Sequence, residues 1–122
     1  MAPTFTYRFY GDHALGGERR TVDALRRWWE RTDRLIPGAR FHVEDVVVAG
    51  PPWATTISTR VSIRGHLANG EPYQNVFMQM MRMRWARITE VHTLEDTAVL
   101  ADALDRLAAD GIEEAGADPI VG

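Results

Sequence analysis

Between residues 39 and 95 the chain reads as one strand after another, with no helical period, and this run limits the folds open to it. The stretch "ARFHVEDVVVAG" (39–50) stops at Pro51-Pro52. "WATTISTRVSIRGHLA" (53–68) stops at Asn69-Gly70, and "EPYQNVFMQMMRMR" (71–84) at a tight turn near Trp85-Ala86, from which "RITEVHTLE" returns. Asn-Gly between alternating runs is the strongest short hairpin signal. Consecutive strands are therefore expected to pair antiparallel.

Helical patterns flank this run. Residues 21–36 carry Thr21 as a cap, Asp23 at the positive end and Pro37-Gly38 as a stop. Val22, Leu25, Trp29, Thr32 and Ile36 fall on one stripe, with Trp28 and Leu35 beside it. Residues 96–111 offer Asp96 or Thr97 as N-cap and Gly111 at the C-terminal end. A short aromatic strand (4–9) and a Gly-rich loop come first, and the tail 112–122 has no period. The prediction is a single α+β domain over 1–122, a strongly curved antiparallel sheet with helices on its concave face.

Composition excludes several chemistries. All 14 basic residues are Arg and no Cys is present, so Schiff-base lysine, thiolate and Cys-ligated zinc chemistry are closed to the chain. His13, His42, His66 and His92 lack metal-ligand spacing, so no metal and no cofactor is expected. A net charge of −3 argues against nucleic acid. With no long apolar run and no signal-type leader, the reading is cytoplasmic, with no membrane contact.

If Asn69-Gly70 and Trp85-Ala86 are both two-residue loops, two faces separate. One carries Val61, Ile63, Val76, Met78, Met80 and Val91. The other carries Arg60, Arg64, Asn75, Gln79, Glu90, His92 and Asp96, interleaved with Phe77, Met81 and Leu94. Either the apolar face is the core and the polar face is solvated, or the mixed face is a pocket wall and the apolar face meets a second copy. An odd loop length would exchange the faces.

The stretch "PYQNVFMQMMRMRWARITEVHTLEDTAVLADAL", with "YRFYGDHALGGERRTVDALRRWWER" upstream, resembles the SnoaL-like domain of the nuclear transport factor 2-like superfamily. The resemblance implies a cone-shaped α+β barrel holding a hydrophobic, oxygen-bearing ring compound. It includes polyketide cyclases, ketosteroid isomerases and non-catalytic binders. It matches Asp96 to an acid/base position, Gln79 to a pocket-lining one, and favours the mixed face as concave. The family's leading helices are missing by comparison, and the tail or a second chain is expected to close that side.

The resulting expectations are specific. Asp96 and His92 are the catalytic candidates. Asn75, Phe77, Gln79, Met81, Glu90, Leu94, Arg60, Arg64 and Trp29 line the substrate site. Asp96 has a second reading as a helix cap, and His92 and the arginines as ordinary strand residues at a rim. The partners expected are a small hydrophobic ligand and a second copy through the outer face. The alternative is a binding or dimerisation module without catalysis.

Overall fold

The computed structural model describes residues 2–122. The elements are β1 (Thr6–Phe9), β2 (Gly17–Arg19), α1 (Val22–Leu35), β3 (Arg40–Ala49), β4 (Thr55–His66), β5 (Pro72–Arg84), β6 (Arg87–Glu95) and α2 (Thr97–Ala109), then a 3-10 turn at Glu113–Gly116. The strand order is β2-β1-β6-β5-β4-β3, a curved sheet that does not close. It is antiparallel except where β1 runs parallel to β6, a pairing the sequence reading did not foresee. Strand β2 was also missed, because three residues in a Gly-rich loop carry no period.

Each element follows from local chemistry. The Thr21 side chain accepts from the Ala24 N–H at the start of α1, and the Asp96 side chain accepts from the Ala98 and Val99 N–H groups at the start of α2. Replacing Asp96 with Ala is expected to cost about 1 kcal/mol, measured by thermal unfolding.

Helix α1 buries Ala24, Trp28 and Leu35, leaving Val22 and Trp29 70% and 47% exposed. The stripe is thus rotated from the predicted one toward Trp28. That indole is the largest side chain available to the core, and its Nε1 finds the Leu15 carbonyl at 2.8 Å. Helix α2 buries Leu100, Ala103, Leu104 and Leu107. The helices cover the sheet from β1 across to β4, where Ile63 and Tyr73 are buried together with Tyr7 and Val91, whereas β3, at its edge, is exposed along its whole length.

The tail 112–122 turns to the β2 edge, where a fully buried Arg19 holds it. Arg19 Nη1 donates to Gly16 O (2.9 Å) and Ile120 O (2.8 Å), and Nη2 donates to Gly17 O (2.8 Å). Arg31 adds bonds to Ala14 O and Asp118 O. The Arg19 guanidinium stacks over Trp28 at 5.0 Å, and burial pushes its pKa down to about 10.

Pairing across the two hairpins departs from the prediction by one residue. Leu67 N–H donates to Glu71 O at 2.8 Å, leaving Ala68-Asn69-Gly70 as a three-residue loop with Gly70 at φ 89°. Ile63 therefore faces Asn75, and Val61 faces Phe77. The Trp85-Ala86 turn is the predicted two-residue one, at φ 51° and 64°. A bulge at Thr89 then shifts the register, so that Phe77 faces Glu95 and Gln79 faces Thr93.

Candidate functional site

The one-residue shift decides which side chains meet the helices. On β5 the expected set is retained: Asn75, Phe77, Gln79 and Met81 point to the helix side. On β4 and β6 the parity is reversed. Val61, Ile63 and Val91 turn inward and are buried, so they cannot belong to an outer interface. Val76, Met78 and Met80 remain on the outer face.

The reversal moves several candidates out of the cavity. Arg60 pairs with Asp45 at 2.7 Å on the outer face, and Arg64 lies on the same side. Glu90 pairs with Arg82 at 3.3 Å. His92 meets Tyr10 on the outer side, with Tyr10 Oη 3.0 Å from Nδ1. Leu94 is 53% exposed. Asp96 lies just past β6 as the cap of α2, exposed.

The residues that do converge form a narrow cavity of about 50 Å³ between α1 and the sheet. Tyr7, Trp28, Ile63 and Phe77 supply walls, while half-exposed Trp29 and Phe41 form the rim. The rings are close-set: Tyr7 to Trp28 at 5.2 Å, Trp28 to Trp29 at 4.9 Å, and Phe41 to Phe77 at 6.0 Å.

The cavity's polar groups are Gln79, Thr93 and Glu95. Glu95 is 6% exposed. Its Oε2 accepts from Tyr73 Oη at 2.6 Å and from Asn75 Nδ2 at 3.1 Å, and Asn75 Nδ2 also donates to Tyr73 Oη at 2.8 Å. Oε1 has no hydrogen-bond partner among the described residues. Burial raises the Glu95 pKa above the ordinary carboxylate value; the two donated hydrogen bonds oppose this and nearby Asp96 adds to it. The Tyr73 hydroxyl is held protonated, chiefly by burial and then by the charge of Glu95. Gln79 Nε2 donates to Thr93 Oγ1 at 3.1 Å, leaving its second N–H free for another acceptor. Sequence reasoning missed Glu95, Tyr73 and Thr93. The signal was the apolar parity of β4 itself: Val61 and Ile63 demand the inner side, which fixes the inner set on its neighbours.

The family profile described as SnoaL-like domain matches residues 1–91. This chain belongs to the SnoaL-like family. No curated protein matches it. Among solved structures it is similar to an NTF2-like protein of unknown function from Burkholderia pseudomallei, at 18% identity over 84% of this chain and 78% of that one (TM-score 0.75). A candidate SnoaL-like polyketide cyclase from Jannaschia sp. CCS1 shares 14% identity over 84% and 72% (TM-score 0.71). A protein with a ketosteroid isomerase-like fold from Catenulispora acidiphila, solved with trimethylamine, shares 20% over 76% and 67% (TM-score 0.64). At these identities the likeness establishes the SnoaL-like, NTF2-like fold.

Proposed function

We propose that this SnoaL-like chain binds a hydrophobic ring compound bearing a carbonyl or hydroxyl, and moves a proton on it without a cofactor. The supporting observation is Glu95: a buried carboxyl with a raised pKa, at the cavity, with one oxygen unused by the protein. As carboxylate, Oε1 takes a proton from a carbon next to the ligand carbonyl; as acid, it returns the proton elsewhere on the ring. The free Gln79 N–H donates to the ligand oxygen. Tyr73 and Asn75 are positioning residues that fix the carboxyl through Oε2. The cavity admits only the reactive edge of a ring as it stands. Trp29 and Phe41 turn aside to admit the rest.

A screen of ketosteroids and aromatic polyketide lactones tests this, with binding read by quenching of tryptophan emission. Turnover by the wild type that survives Asp96→Asn fits the reading. Turnover lost with Asp96→Asn in a still-folded protein would return the proton transfer to the capping residue.

A second reading concerns the outer face. Met78 directly opposes Leu94, and with Val76 they are 57%, 53% and 43% exposed. An apolar stripe across a sheet suits a self-complementary contact with a second copy. Light scattering is expected to show a dimer that Met78→Glu converts to monomers. A dimer unchanged by Met78→Glu would exclude this face.

A further inference from the structure

We propose that the end of the sheet carrying Trp53 and Trp85 is a docking site for an anionic lipid surface, a role beyond the pocket reading and independent of it. Trp53 and Trp85 are 56% and 64% exposed, with ring centroids 6.0 Å apart. One lies in the β3–β4 loop and the other on the β5–β6 turn. The Trp85 N–H donates to Pro52 O at 2.8 Å and ties the two tips together. Val47 and Val48, each 62% exposed, flank this end on the two faces of β3.

This end breaks local rules in two ways. Trp85 and Ala86 both sit at positive φ, where Asn-Gly would be unstrained, and the strained aromatic gains no burial in return. Arg84 and Arg87 face each other directly across the same turn, like charge against like charge, with no ion-pair partner among the described residues. Conflicts of this kind are kept where a site has another use for them.

The layering suits a bilayer interface. Tryptophans lead, at the depth where amphipathic rings settle. Arg84 and Arg87 stand one residue behind, at the level of lipid phosphates. Several backbone donors at the tip are absent or already paired. Pro51 and Pro52 carry no N–H, the Ala54 N–H donates to Pro51 O at 2.9 Å, and the Trp85 N–H is held by Pro52. Such a tip strands fewer donors on entering a low-dielectric layer, and the exposed tryptophan pair backed by Arg84 and Arg87 makes an anionic lipid its partner. The expectation of no membrane contact rested on the lack of a long apolar run. No helix among the described residues is long and apolar enough to cross a membrane, and peripheral docking needs none.

Co-sedimentation with phosphatidylcholine–phosphatidylglycerol vesicles tests the proposal. The protein is expected to bind, more weakly as salt rises, with its tryptophan emission quenched by brominated lipid. Pure phosphatidylcholine is expected to bind at least about 10-fold less well. The double change Trp85→Asn with Ala86→Gly suits the turn better and so keeps the hairpin, yet is expected to weaken binding at least about 10-fold. Arg84→Gln with Arg87→Gln is expected to remove most of the salt dependence. Wild-type protein that ignores both vesicles, equal binding to both, or a Trp85→Asn/Ala86→Gly variant that binds as the wild type does would overturn the proposal. So would loss of a dimer in that variant, which would make a second copy the partner.

Discussion

Glu95→Gln is expected to reduce turnover of any substrate found by about 10²- to 10⁴-fold while leaving the fold intact. Gln keeps the shape of the side chain, and its oxygen still accepts from Tyr73 Oη and Asn75 Nδ2, the two bonds that hold Glu95 in place. What it loses is the proton. The pH profile separates this role from a structural one. If the carboxylate is the base, kcat/KM rises as Glu95 ionises, and burial places that limb above the usual carboxylate range. Stability runs the other way. Because the folded pKa is raised, the native state holds a proton that the unfolded chain has released. The stability Glu95 contributes is complete below its unfolded pKa and is lost as pH rises through the folded value. Thermal unfolding of the Gln variant should lack this decline. A variant with undiminished turnover would remove Glu95 from the chemistry.

Trp28→Ala is expected to lower stability by about 4 kcal/mol, read as the shift of the denaturation midpoint at unchanged m. Trp28 is 3% exposed and fills the space between α1 and the sheet against Tyr7, Phe9 and Trp29. Truncation leaves a cavity, an unpaired Leu15 carbonyl and an Arg19 guanidinium with only the more distant Tyr7 ring, at 6.0 Å, against it. Trp28→Phe, which keeps a ring but not the N–H, should lose less than half as much. A loss under about 1 kcal/mol for the alanine variant would mean that the core is anchored elsewhere.

Much of the fold was readable because its signals are local. Thr21, Pro37-Gly38, Asp96 and Gly111 mark helix ends by their own hydrogen-bonding and dihedral preferences, and the four long strands fell where alternation placed them. The site was less readable because it depends on parity. Asn69-Gly70 names a turn but not its length, and one extra loop residue carried Arg60 and Arg64 to the far side of the sheet, while the bulge at Thr89 did the same to Glu90 and His92. The bulge at Thr89 has no sequence signature comparable to Asn-Gly. Asp96 was favoured by resemblance, yet the inward group is its neighbour Glu95. Weighing Val61 and Ile63 against Arg60 and Arg64 would have been the safer guide, since burying a strand's own apolar set constrains register more tightly than a guessed turn.

Arg19 donates only to neutral oxygens, those of Gly16, Gly17 and Ile120. Ordinary ion pairs such as Arg34 with Glu114 weaken as mobile ions screen them. A cation clasped by carbonyl dipoles in a dry interior offers those ions no access. The last residues should thus stay seated across brackish and dilute conditions alike, a form of halotolerance that owes nothing to surface charge.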